Sequence, residues 1–166
     1  MNTIIRLPQP SDLATLTDLY NHYILNTTIT FDIEPYTLEQ RRQQWWCHYA
    51  PQGRHRLLVA EKNQLVVGYA TTSQFRNKAA YDTSVETSIY LTPETRGQGI
   101  GTQLYQALFQ SLAEEDVHRA YAGITLPNPG SISLHQKFGF QSVGCYQEVG
   151  RKFDRYWAVE WFEKSL

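Results

Sequence analysis

Apolar positions along this chain change period several times, and each change marks an element. Thr3 to Leu7 reads as a short strand, closed by Pro8 and Pro10. From Ser11-Asp12, which can cap a helix, the residues Leu13, Leu16, Leu19, Tyr20, Tyr23 and Ile24 fall on one helical stripe. The polar, β-branched run Asn26 to Phe31 breaks that stripe and continues as a loop through Asp32-Ile33-Glu34-Pro35. Thr37 and Gln40 match a capping box, so a second helix is predicted to about Tyr49. Leu38, Trp45 and Tyr49 would be its apolar contacts, and Arg41-Arg42 would sit on its wet face.

Arg56 to Ala60 and Leu65 to Ala70 are β-rich runs parted by Glu61-Lys62-Asn63-Gln64, which predicts an antiparallel hairpin with Val85 to Leu91 beside it. Ile100, Leu104, Leu108 and Leu112 give the next helix an apolar side. A strand over Arg119 to Leu126, a short helix over 130–138 and two final strands, Gln141 to Glu148 and Arg155 to Phe162, complete the pattern. There is no internal repeat, low-complexity tract or linker. The expectation is one α+β sheet sandwich occupying residues 1–166.

Composition narrows the function classes. A chain of 166 residues buries roughly 70% of its unfolded surface and requires no metal or disulfide framework. Cys47 and Cys145 are too few and too far apart in sequence for a zinc site or disulfide scaffold, and read as ordinary small apolar residues in a reducing cytoplasm. Fifteen basic against sixteen acidic side chains argue against nucleic acid held by phosphate neutralisation. The amino-terminal residues lack signal-peptide features, and no apolar run approaches the ~20 residues that span a bilayer. A cytoplasmic protein with no membrane partner is expected.

The most informative stretch joins the strand Val85 to Leu91 to Arg96-Gly97-Gln98-Gly99-Ile100-Gly101-Thr102 and then to a helix. Glycines between an extended and a helical run leave backbone N–H groups uncovered at a helix start, which suits a phosphate. A P-loop would need Gly-Lys-Ser/Thr and a dinucleotide fingerprint G-x-G-x-x-G; neither is present. On glycines alone a plain structural turn is equally acceptable. Arg96, Gly99 and Gly101 do match Arg/Gln-x-x-Gly-x-Gly/Ala, the pyrophosphate loop of the GNAT superfamily of N-acetyltransferases. Asn128, Ser131, Leu134, His135, Gly139 and Phe140 match that superfamily's Asn-x-x-small-x-x-Leu-Tyr-x-x-x-Gly-Phe, with His135 in place of tyrosine. Together with Asn21-His22-Tyr23-Ile24, Thr30-Phe31, Glu34-Pro35, Ala80-Tyr81-Asp82 and Val85-Glu86, the chain resembles the phosphinothricin acetyltransferase group from about Ile4 to Glu163.

The resemblance implies the GNAT acyl-CoA N-acyltransferase fold, a splayed mixed sheet flanked by helices, with acetyl-CoA as co-substrate and no metal. It implies coenzyme contacts at Ile89, Leu91, Arg96, Gly97, Gln98, Gly99, Ile100, Gly101, Thr102, Asn128 and Ser131. Acetyl transfer needs a base for the amine and a proton for the leaving thiolate. By strand period Glu86, Ser88 and Tyr90 share one face, and a carboxylate there is either an ion-paired surface group or chemistry; the resemblance makes Glu86 the general base. His135 reads as a packing histidine, or, by its register after Asn128, as the acid for sulfur, with the amine's base as its second role. The other four histidines show no metal-ligand spacing.

Phe75-Arg76-Asn77-Lys78 is either a solvated basic loop or the grip on an acceptor carboxylate, with Phe31, Glu34 and Tyr81 completing the acceptor pocket by resemblance. Two departures concern the acceptor: Tyr156-Trp157-Ala158-Val159 lacks the group's acid, and Lys78 stands where arginine is common. The leading expectation is N-acetylation of a small amino-acid analogue of the phosphinothricin or methionine sulfoximine/sulfone type. The alternatives are another amine (polyamine, aminoglycoside, protein N-terminus) or a non-catalytic acyl-CoA-binding module. A homodimer is expected from the aromatic terminus, Tyr156-Trp157 and Trp161-Phe162, and from the resemblance.

Overall fold

The computed structural model describes residues 3–166. Strand β1 (Thr3–Arg6) is followed by α1 (Asp12–Asn26), α2 (Leu38–Gln44), β2 (Leu57–Lys62), β3 (Leu65–Gln74), β4 (Ser84–Leu91), α3 (Ile100–Gln110), β5 (Arg119–Thr125), α4 (Pro129–Lys137), β6 (Gln141–Lys152) and β7 (Arg155–Ser165). The seven strands form one mixed sheet in the order β1-β2-β3-β4-β5-β7-β6, so the final strand inserts between β5 and β6. Two hairpins, β2–β3 and β6–β7, turn on residue pairs with positive φ, Asn63-Gln64 and Phe153-Asp154, the backbone twist that matches paired strands.

The sheet is covered on both faces. On one, Leu16, Leu19 and Tyr23 of α1 pack on Leu57, Val59 and Tyr69. On the other, Ile100, Leu104, Tyr105 and Leu108 of α3 pack on Leu58, Ala60 and Ala70. A third cluster joins Val85, Ala120, Ala122 and Ile124 to Phe140 and Phe162. Alternate residues of β2 thus serve opposite cores, as the strand period requires.

The capping box of α2 is present: Gln40 N–H donates to Thr37 Oγ1 and Thr37 N–H to Gln40 Oε1. The helix itself is shorter than predicted, ending at Gln44 before a 3₁₀ turn over Trp46–His48. At the start of α1, Ser11 makes no side-chain cap; Asp12 instead accepts from Gln9 N–H and from Arg6.

Arg41 is not on a wet face as its sequence context suggested. It is buried, its guanidinium carbon lying 4.1 Å from the Tyr20 ring centroid and 3.7 Å from that of Trp45, and Nη2 donates to Tyr69 Oη. A planar, weakly hydrated cation between aromatic faces loses less on burial than an ammonium would, which is why helix periodicity alone misplaced it. The two cysteines, read as small apolar residues, are both exposed. Of the aromatic terminus, Phe162 is core and Trp161 half-buried, while the exposed apolar side chains are Val143, Tyr146 and Val149 of β6, Phe153 in the turn and Tyr156 of β7. No described helix is long and apolar enough to cross a membrane.

Candidate active site

β4 and β5 run parallel and pair only from Ser84↔Arg119 to Glu86↔Tyr121, although both strands continue beyond. Where the ladder stops, Thr87 Oγ1 donates to the Tyr121 carbonyl, so a side chain satisfies a group the sheet leaves unpaired. The strands part there. A cavity of about 480 Å³ opens between them, lined by Glu86 to Tyr90 on one side and Ala122 to Thr125 on the other. A second, of about 460 Å³, shares Ile29, Ile89, Asn128 and Ser131 with the first and extends to the glycine turn.

That turn is built by conformation. Gly97 and Gly99 have φ of 74° and 77°, the left-handed region that side chains disfavour, and a Cβ on either would meet nothing within 4 Å. Gly101 is constrained by closeness instead: a Cβ would stand 3.2 Å from Leu134 and 3.6 Å from Ile89 and Leu91. The start of α3 therefore presents bare backbone to the cavity. Ile89, Leu91, Arg96, Gly97, Gly99, Gly101, Thr102, Asn128 and Ser131, all predicted coenzyme residues, line it. Two predicted contacts are placed otherwise. The Ile100 side chain is in the core, and Gln98 is exposed, bonded to Lys62 Nζ and the Glu94 carbonyl. Tyr23, read only as core, lines the same cavity; its hydroxyl donates to the Leu91 carbonyl and accepts from Arg96 Nη2.

Glu86 lines the first cavity, half-buried, and no described residue donates a hydrogen bond to it. Burial raises its pKa above the usual carboxylate range, and the positive charge of Arg76 opposes that shift. His135 lines the same cavity and is 97% buried by its 3% exposure. Its Nδ1 lies 2.7 Å from the Ser131 carbonyl, which can only accept, so Nδ1 carries the hydrogen. Nε2, 2.8 Å from Tyr105 Oη, then accepts from that phenol. Burial lowers the imidazole pKa, against the Ser131 bond, and holds it neutral. Tyr105 was missed in the sequence, although position 105 lies four residues after Gly101 on the buried side of α3; a hydroxyl on that stripe requires a partner inside.

The predicted acceptor residues divide. Phe31 lines the cavity with Tyr20, Thr30, Tyr146, Val149 and Trp161. Phe75 stands behind the wall, stacked on Tyr121 at 4.2 Å and edge-on to Trp161, with the Arg76 guanidinium 5.0 Å from its ring. Arg76, Lys78 and Tyr81 are exposed and outside the cavity lining, and so is Glu34, which the loop turns to solvent. Within a single chain, Glu34, Arg76, Lys78 and Tyr81 therefore do not line the cavity, and of these Arg76 alone acts on Glu86 through its charge. The described residues contain no cluster of histidine, cysteine or acidic side chains able to hold a metal.

The parted β4/β5 pair, the glycine turn opening a helix, and one cavity lined by both a carboxylate and a histidine suit acyl transfer. Residues 16–140 match the acetyltransferase (GNAT) family. The chain belongs to that family, and acetyl transfer from acetyl-CoA to an amine is its chemistry. It is 55% identical over 157 residues to a phosphinothricin N-acetyltransferase of Streptomyces coelicolor, covering 93% of this chain and 91% of that protein. It is 32% identical to an L-methionine sulfoximine/L-methionine sulfone acetyltransferase of Pseudomonas aeruginosa, covering 100% and 96%. A crystal structure of a phosphinothricin acetyltransferase from Sinorhizobium meliloti in complex with AcCoA superposes with a TM-score of 0.91 at 31% identity, over 100% of this chain and 89% of that one.

The hydrogen-bond pattern at the cavity floor has a direct spectroscopic consequence. In a nitrogen-detected titration His135 is expected to be the neutral Nδ1–H tautomer at pH 7, with a midpoint below the ordinary 6.5. Because the folded pKa is the lower one, the folded state disfavours the imidazolium, and stability from this group falls as pH drops below 6.5. A midpoint at or above 6.5 contradicts the assignment.

Proposed function

We propose that the chain acetylates the free amine of a small amino-acid analogue carrying a carboxylate, of the phosphinothricin or methionine sulfoximine/sulfone type. The observation that carries this is the cavity holding both Glu86 and His135, adjoined through Ile29, Ile89, Asn128 and Ser131 by a second cavity that reaches the glycine turn. The names of its relatives support the acceptor class. Bare N–H groups at Gly97, Gly99 and Gly101 suit the coenzyme's pyrophosphate, with Arg96 beside them, and Ile89, Leu91, Asn128 and Ser131 suit the arm that leads to the thioester. When bound, the coenzyme supplies an activated acetyl group with a thiolate leaving group.

Glu86 takes the amine's proton, directly or through water. Its raised pKa suits this, since a base is most effective when its pKa approaches the working pH. His135 returns a proton to sulfur. The resting imidazole is neutral and burial keeps the Tyr105 phenol protonated, so the proton that His135 delivers to sulfur is one relayed to it from the amine by way of Glu86. Arg76, beside the mouth and within electrostatic reach of Glu86, offsets the acceptor's carboxylate, with Lys78 and Tyr81 on the same loop. Polyamines and aminoglycosides would meet this cation unfavourably.

A panel of phosphinothricin, methionine sulfoximine, methionine sulfone, spermidine and a peptide, assayed by thiol release, tests the acceptor. Turnover of the first three with weak activity on the last two is expected; a preference for spermidine or the peptide refutes the class. Arg76→Ala should raise the acceptor KM by about 10–150-fold, the equivalent of a charged hydrogen bond, and leave the acetyl-CoA KM unchanged.

Glu86→Gln should lower kcat by roughly 10²–10⁴-fold. In the parent enzyme, the rate should rise with pH through the raised Glu86 pKa, because the carboxylate is the active form; Glu86→Gln should abolish that limb. His135→Ala should be less harmful with an acyl donor whose thiol is more acidic. An unchanged pH limb in Glu86→Gln would make His135 the base instead.

We infer a homodimer through the exposed apolar row on β6 and its turn, Val143, Tyr146, Val149, Phe153 and Tyr156, because that much apolar surface on an edge strand is usually covered. Light scattering is expected to give twice the chain mass, and a monomer under assay conditions refutes it.

A further inference from the structure

The segment joining α1 to α2, residues 27–37, roofs the cavity: Ile29, Thr30 and Phe31 all line it. Its ends are held from nearby in sequence. Asn21 brackets Tyr36, accepting from its N–H and donating to its carbonyl, both at 2.8 Å, and Tyr20 Oη donates to Asp32. In the middle of the roof, Thr30 Oγ1 also bonds Tyr20 Oη at 2.8 Å, and a second support comes from far along the chain. Lys152, the last residue of β6, donates from Nζ to the Thr30 carbonyl at 2.8 Å across 122 positions of sequence.

That lysine is 5% exposed, and its one hydrogen bond goes to a neutral carbonyl. Burial lowers its pKa, with the Asp32 carboxylate opposing. An ammonium held this way is a poor source of stability. A second contact comes from the same hairpin to the very next residue of the roof. The Phe31 ring fills the space over Gly150, where a Cβ would come within 2.5 Å of Phe31 Cζ and closer still to Cε2. Beside its turn the hairpin is closely tied: the turn is two residues long, and Trp157 Nε1 donates to the Lys152 carbonyl. It also contributes Tyr146 and Val149 to the cavity wall.

We propose that Lys152 and Gly150 are positioning residues for acceptor binding: from the β6–β7 hairpin they fix the Thr30–Phe31 roof at the height the acceptor requires. The inference rests on the reading that this cavity takes the acceptor. Lys152→Met keeps the apolar stem and removes the bond; Gly150→Ala keeps the charge and displaces Phe31. Both should raise the acceptor KM at least tenfold with the acetyl-CoA KM within twofold, and both should speed amide hydrogen exchange across residues 29–33 while α3 and β4 keep their protection. Unchanged exchange in that segment, or an acceptor KM that does not move, overturns the proposal. If Lys152→Met does not fold, Gly150→Ala decides by the same two readouts. Failure of the parent enzyme to acetylate any carboxylate-bearing amine would refute the functional reading instead, leaving the exchange result to judge the roof.

Discussion

The parallel pairing of β4 and β5 stops after three residues, and the rest of the molecule is arranged around that interruption. A parallel ladder is normally continuous and buried on both faces. Here the two strands diverge past Glu86 and Tyr121, with Thr87 satisfying the last exposed carbonyl through its hydroxyl. Divergence leaves backbone groups on facing edges and space between them for a ligand that can pair as a strand would. It also separates the two chemical groups by origin: Glu86 comes from β4, and His135 from α4, which follows β5. Holding the gap open falls to packing on either side, α3 against β2 and β3, and Phe140 and Phe162 against β5.

The distribution of charge inside this fold follows from the same opening. Arg41 lies beneath the aromatic layer that includes Tyr20 and Tyr69, Lys152 above the roof, and Asp32 beside both, bonded by Tyr20 and Tyr36. Tyr20 itself lines the cavity, so its phenol, tied to Asp32, belongs at once to the wall and to the charge network. Glu86 alone faces the gap without a hydrogen-bonded partner, and only distant Arg76 offsets its burial. A carboxylate left unpaired in this way has a raised proton affinity, which is what removing a proton from an amine near neutral pH demands. Among the described residues Arg41 Nε and Arg56 Nε also lack hydrogen-bond partners, but neither residue lines the cavity.

Much of this was legible along the chain because it depends on local chemistry. Alternation in β4, the capping box at Thr37, and glycines with the positive φ that side chains disfavour are properties of neighbours in sequence. The motif spacing around Gly99, Gly101, Asn128 and His135 identified the family that residues 16–140 match, and nine of the eleven expected coenzyme residues line one cavity. Gln98 and Ile100 did not, because a run of consecutive residues at a helix start must point in different directions.

What tertiary structure decided are the relations between residues that no period connects. Arg41 is buried because Tyr20 of α1 and Tyr69 of β3 meet it where Trp45, at the end of its own helix, already covers the guanidinium. His135 is neutral because the folded chain buries it, and α3 brings Tyr105 to its Nε2. Glu34 and Phe31 are three positions apart, yet Glu34 turns to solvent while the Phe31 ring lines the cavity and fills the space over Gly150 on a distant hairpin. The sequence by itself determined which elements form and which chemistry they carry, because those rest on backbone preference and side-chain type. Which side chains face the gap, and in what protonation state, was settled only when the sheet brought β4, α4 and the β6–β7 hairpin together, because burial and hydrogen-bond partners exist only in the folded chain.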